Sequence, residues 1–224
     1  SDLMTRHHTY PMICPNCNHT QDFLAYDSIN ISANPELKPL VMSTDLLSFH
    51  CENCGYDTFV NYGYLYHDPK RVFMVYYEPQ PEKHVQIAHD LRTIYFREEG
   101  YVQRKAGYRF RIVPELRDLW EKIFIFEAGL DDRVIELLKY YLQATFLEQY
   151  PSAQVERVQF YVDGETGQKQ FILMHEDDIV AFIAFDRDHY DLILERWGDR
   201  MTQHESNLQL MVNAEWVEKL VSEE

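Results

Sequence analysis

The sequence lacks any apolar run approaching the roughly 18 residues needed to cross a bilayer. Its longest apolar stretches, such as residues 179–185, suit a buried strand, so no membrane partner is expected. The opening residues, SDLMTRHHTY, lack the apolar core of a secretory leader, so the expected compartment is the cytoplasm. Basic charge is scarce: 21 Lys and Arg stand against 37 Asp and Glu, a net charge of -16. Residues 131–224 are the most lopsided, with 8 basic and 20 acidic side chains. Nucleic-acid binding normally rests on a basic footprint, so this balance argues against it and suits a soluble surface or a face that docks a basic partner. A phosphate-cradling loop, a nucleophile elbow and a His-Glu-x-x-His helix are all missing. No catalytic residue is therefore assigned. There is no low-complexity tract, and no internal repeat beyond a duplicated cysteine pair.

What is present is enough to fold. The 224 residues are 46% hydrophobic and 14% aromatic, which suits one large domain or two small ones with a real core. Four cysteines stand in two Cys-x-x-Cys pairs, Cys14/Cys17 and Cys51/Cys54. Each such turn points two thiolates at one spot, and two turns supply the four sulfurs of a tetrahedral zinc site. The residue after each pair favours a left-handed backbone: Gly55 adopts it freely, and Asn18 is among the residues that tolerate it. The reading is one structural zinc per chain, closed by four cysteines, with no open position for catalytic water. Iron is an alternative metal for four thiolates. Disulfides are disfavoured without a leader, and a thioredoxin-type redox pair is disfavoured by the second Cys-x-x-Cys. Haem attachment needs His directly after the second Cys, and His19 is one place late.

The pattern along the chain predicts an α+β protein. Strand, knuckle and strand occupy residues 9–26, and a short helix runs from Asn34-Pro35 to about Met42. The second knuckle is followed by a strand over 58–66 and another over 72–77. A helix is expected over 83–98 and a strand over 108–113. Two amphipathic helices then form a hairpin over 114–148; Gly129 ends the first and Asp131 caps the second. From residue 150 onward the sequence reads as an antiparallel β meander with flanking helices. The segment between the knuckles is 33 residues, longer than the usual spacing, so the zinc ribbon (residues 11–78) carries an insertion.

Other constellations read more simply as structure. Tyr66-His67-Asp68 could be an acid–base site, but adjacent residues rarely face one another, and Asp68-Pro69 starts a turn. Arg104, Lys105, Arg109 and Arg111, interleaved with Tyr101, Tyr108 and Phe110, could meet phosphate or bases; paired to Glu98, Glu99 and Glu115 they would be a solvated strand face. Residues 175–178, His-Glu-Asp-Asp, could hold a metal ion and read better as a turn between strands.

The ordered set Ile13-Cys14-Pro15-Asn16-Cys17, Asp27-Ser28-Ile29-Asn30, Phe49-His50-Cys51-Glu52-Asn53-Cys54-Gly55 and Leu65-Tyr66-His67-Asp68 resembles the bacterial and archaeal CpXC domain. The later Phe110-Arg111-Ile112-Val113, Glu121-Lys122-Ile123 and Leu130-Asp131-Asp132-Arg133 resemble its second half. The resemblance implies a domain over residues 11–145, with a separate part over 150–224, and it implies no activity. It departs at Glu52, where the second motif usually has proline. The leading expectation is a non-enzymatic interaction or adaptor protein with a protein partner. The alternatives are a nucleic-acid-binding ribbon, and an enzyme with a site near His67.

Overall fold

The computed structural model of the protein describes residues 4–97, 100, 106–203 and 209–223. It is a mixed α+β chain that divides into two compact units, residues 1–119 and 120–224. Within the first unit lie β1 (Arg6–Ile13), β2 (Thr20–Asn30), α1 (Lys38–Val41), β3 (Ser48–His50), β4 (Asp57–Phe59), β5 (Tyr64–Asp68), β6 (Phe73–Tyr77), α2 (His84–Tyr95) and β7 (Arg109–Val113). The division falls inside α3 (Leu116–Glu127). Next come α4 (Asp132–Gln149), β8 (Arg157–Val162), β9 (Lys169–His175), β10 (Asp178–Ala184), α5 (Arg187–Gln203) and α6 (Ala214–Ser222).

The first unit is built on a five-stranded sheet in the order β1-β2-β5-β6-β7. β1 pairs antiparallel with β2 from Ile13↔Thr20 upward, so the first knuckle is the turn of a hairpin. Pro11, which cannot donate to a ladder, sits in β1 at the sheet edge. β2 alternates, burying Phe23, Ala25 and Ile29. It then pairs in parallel with β5 through Ile29↔Tyr66. A parallel pair needs a crossover connection, most often a helix. Here that connection holds α1 and a separate two-stranded sheet, β3-β4, flanking the second knuckle.

The sequence pattern predicts one strand over 58–66, and the structure divides it. β4 ends at Phe59, the Val60 N–H bonds back to the Leu47 carbonyl at 2.6 Å, and β5 starts at Tyr64 in the other sheet. Gly63 makes the change of sheet. A Cβ there would stand 2.6 Å from Glu78 Oε1 and 2.8 Å from the Tyr77 carbonyl, so only glycine lets β6 approach this closely. The strand expected from Val72 starts one residue later, because Val72 turns into the left-handed region at φ 52°.

The second unit carries a three-stranded antiparallel sheet in the order β8-β9-β10. Asp131 caps α4, its carboxylate accepting the Arg133 N–H at 2.9 Å. Phe160, Phe171, Phe185 and Tyr190 pack as an aromatic cluster. α5 runs to Gln203, with the Arg200 guanidinium 4.9 Å over the Trp197 indole. Charged groups are buried here as well. Lys122 Nζ donates to Asp132 Oδ2 and to the Val212 carbonyl, both at 2.7 Å. Lys139 lies between Glu121 and Glu136, and Glu121 also accepts the Phe160 N–H at 2.7 Å. Burial raises the Glu136 carboxyl above the ordinary range, with Glu121 adding repulsion and Lys139 opposing. Among the described residues, no helix is long and apolar enough to cross a membrane.

Candidate metal centre

The two knuckles are built alike. In the first, the Cys14 N–H donates to the His19 carbonyl at 2.8 Å, and the Asn18 N–H to the Cys14 carbonyl at 2.9 Å. In the second, Cys51 donates to Tyr56 at 2.8 Å and Gly55 to Cys51 at 2.9 Å. Asn18 and Gly55 adopt the left-handed backbone at φ 62° and 77°, as the sequence requires of the residue closing each turn. Cys14 and Cys51 are fully buried against Phe23, Ala25 and Phe49, with Tyr10, Met12, Val60 and Tyr62 packed around them. That core holds Cys14 and Cys51 inward, while Cys17 is half-buried and Cys54 is exposed.

All four cysteines are free thiols, and their sulfurs lie within 4.8 Å of one another. Cys14 and Cys54 are 3.7 Å apart, and Cys17 and Cys51 are 3.6 Å apart. A tetrahedral zinc with bonds of 2.3 Å sets sulfurs about 3.8 Å apart. The cluster therefore has the dimensions of a four-thiolate cage, and a disulfide, at about 2.05 Å, is far shorter. The donor set fits zinc, and it equally suits other thiophilic metals.

The asparagine shared by both motifs is a feature the sequence reading passed over. Asn16 Nδ2 donates to Cys54 Sγ and Asn53 Nδ2 to Cys17 Sγ, each at 3.4 Å. Each knuckle therefore solvates a sulfur of the other, and the repeated asparagine before the second cysteine of each pair was its legible signal. The Asn16 amide, with the Tyr56 backbone, holds the Cys54 thiol down at about 6. Asn53 lowers Cys17 in the same way, while burial pushes Cys51 up to about 11. Cys54 thus stays a thiolate down to about pH 6, and Cys51 must surrender a proton to a metal. Metal affinity should fall as pH falls. Asn16→Ala should raise the Cys54 pKa, move metal release to higher pH, and weaken binding by about 10–100-fold. A competition titration with a chromogenic chelator across pH 5–8 checks this; an unchanged release curve would refute the role of Asn16.

Glu52, which replaces the proline usual in the resembling motif, has its own contacts. Its N–H donates to Gln21 Oε1 at 2.9 Å, and its carboxylate lies 3.0 Å from His19 Nε2. Gln21 in turn donates to the His50 carbonyl at 2.9 Å, joining the two knuckles. A proline could not make the first of these bonds.

The other sequence candidates are placed differently. Tyr66, His67 and Asp68 are buried in β5; His67 is 2% exposed and its Nε2 lies 2.8 Å from the Tyr108 hydroxyl. Asp68 accepts the Arg71 N–H and pairs with its guanidinium at 3.2 Å, as a turn-starting residue does. Of the basic cluster, Arg111 is buried in β7 and Arg109 is half-buried. Arg104, Lys105, Tyr101, Glu98 and Glu99 lie outside the described residues. His175 pairs with Glu156 at 3.1 Å at the turn between β9 and β10; with Glu176 these form a second, exposed group of ligand-type side chains.

The fold and this site define an α+β protein with a paired-knuckle cluster of four cysteines able to hold a metal ion. The family model described as "CpXC protein" matches residues 12–139, more than half of the chain, and the chain belongs to that family. No curated protein and no solved structure matches it.

Proposed function

We propose that the protein is a non-enzymatic interaction module whose zinc ribbon is held by one structural zinc on Cys14, Cys17, Cys51 and Cys54. The observation that carries the metal reading is the closure of the cage: four thiols, each within 4.8 Å of the others, fill every position of a tetrahedral site. A catalytic zinc keeps one position open for water. Four cysteines held as free thiols are in keeping with a reducing compartment, and hence with the cytoplasm.

Support for the interaction reading comes from the second unit. β10 is the outer strand of its sheet and leaves Ile179, Val180 and Phe182 in solvent, Phe182 at 57% exposure. An open apolar strand edge is a surface on which a partner strand can add. Arg111 and His67, on which the nucleic-acid and enzyme readings leaned, are buried, which favours the interaction reading.

The test is metal content by mass spectrometry on protein purified without added metal. Wild type should carry about one zinc per chain, and Cys51→Ser should lose it. Wild-type protein without metal, with Cys14 and Cys17 cycling between dithiol and disulfide, would replace this reading with a redox one. For the surface, Phe182→Asp should abolish partner binding without changing metal content.

A further inference from the structure

A second site lies in the first unit, sharing Tyr10 and Tyr62 with the core packed around Cys14 and Cys51. A groove of about 390 Å³ opens between the β1–β2 hairpin, the turn before β5, the end of β6 and the start of α2. This is within the roughly 300–1,000 Å³ range of ligand clefts. Tyr10, Tyr62 and Tyr76 line it, with two carboxylates, Asp27 and Glu78, and with Lys83.

Glu78 is the unusual member. It is 5% exposed, and its backbone is fixed on both sides: its N–H donates to the Val113 carbonyl at 2.9 Å, and its carbonyl lies 2.8 Å from His84 Nε2. Oε2 accepts the Gln80 N–H at 3.0 Å, and Oε1 rests against the bare Cα of Gly63. Among the described residues no Lys, Arg or His stands within 4 Å of the carboxylate, Lys83 included. The carboxylate keeps capacity to accept further donors. Asp27, on the same groove, is open to solvent and lies 3.0 Å from His8 Nδ1. Its charge reaches both Tyr62 and Tyr76, whose hydroxyls are raised first by burial and then by the surrounding negative groups.

We propose that this groove takes an arginine side chain presented by a basic segment of a partner protein. Three tyrosines and two carboxylates on one groove favour a cation over an anion or a neutral group, and Tyr10 already stacks with the His8 ring. A guanidinium suits them better than an ammonium, because it is planar, stacks on rings, and offers a fork of donors to a carboxylate. Free arginine is a poorer ligand, since its own α-carboxylate would enter the field of Asp27 and Glu78; an arginine inside a peptide carries no such charge. The net charge of -16 draws basic polypeptides toward the chain.

The inference rests on the protein-interaction reading, and its test is separable from that reading. Titrate the full chain with acetyl-Gly-Arg-Gly-amide, followed by chemical-shift changes or calorimetry, beside the same peptide bearing citrulline, lysine or glutamate. Citrulline keeps the shape of arginine and removes its charge. The arginine peptide should bind at least about tenfold more tightly than the citrulline one, a difference of about 1.4 kcal/mol, and the glutamate peptide should not bind. Glu78→Gln should lose about tenfold at unchanged metal content. Asp27→Asn, a change at an exposed position, is the second variant should Glu78→Gln fail to fold, and it should weaken binding in the same direction. Equal binding of arginine and citrulline peptides, or no binding, would overturn the proposal. So would affinity unchanged by both substitutions. A negative result here leaves the β10 face untouched, whereas failure of Phe182→Asp to affect a partner would count against that face and not against the groove.

Discussion

If the four cysteines hold the proposed zinc, stripping it with a chelator is expected to release amide protection at both knuckles and across β3 and β4, with a large fall in thermal midpoint. The reason is where the sulfurs sit. Cys14 and Cys51 are fully buried members of the core that also holds Phe23 and Phe49, so the cage and the hydrophobic cluster are one packed object. Without a metal, four thiols of unequal acidity crowd within 4.8 Å, with Cys54 down at about 6 and Cys51 up at about 11. For isolated zinc-finger peptides, apparent zinc binding is worth about 10–16 kcal/mol at neutral pH and is the folding free energy. This unit has its own five-stranded sheet, so local loss of protection is expected rather than complete unfolding. Hydrogen exchange with and without chelator measures it. The β8–β9–β10 sheet should exchange at the same rate in both, and unchanged exchange at residues 48–59 would refute a structural role for the metal.

Lys122→Met is expected to destabilise the second unit by about 3–5 kcal/mol, the usual cost of breaking a buried ion pair from one side. The Lys122 side chain is 4% exposed and that of Asp132 is fully buried, and the ammonium also serves the Val212 carbonyl. Methionine matches the lysine stem in size and leaves the carboxylate without its ammonium. Against a typical total of about 5–15 kcal/mol, such a loss is severe. Denaturant melts should show it as a lower midpoint. Adding Asp132→Leu should recover part of the loss, since removing both partners spares the uncompensated charge. A loss under about 1 kcal/mol would mean that water or a neighbouring group takes over from the lysine.

Much of the candidate metal centre was legible because its signals are local. The spacing of the four cysteines, and the need for Asn18 and Gly55 to turn left-handed, are properties of a few consecutive residues. The cap at Asp131 and the left-handed Gly129 before it are of the same kind. What the sequence concealed is non-local. Residues 58–66 alternate like one strand, and the break at Gly63 is dictated by Glu78, fifteen positions on. The alternation does not say which face of β5 is covered; it lies between β2 and β6, and the Tyr64 and Tyr66 rings are both buried. Arg111 reads as surface charge and lies in the interior of β7. In each case tertiary pairing, which no period of two or 3.6 encodes, decided the outcome.

The connection from β2 to β5 has one more implication, for the order in which the chain assembles. Two strands that run the same way are separated by 33 residues, from Ile31 to Gly63, and the second knuckle lies in the middle of them. A metal joining Cys17 to Cys51 would close most of that span before either strand had found the other. The entropy removed is that of a cross-link over a loop of this length, about 4 kcal/mol on the polymer estimate used for disulfides. A distant pairing then becomes, in effect, a neighbouring one, and pairings between near neighbours form fastest. The ion would thus act as a clasp on the crossover, fixing early which strands become partners.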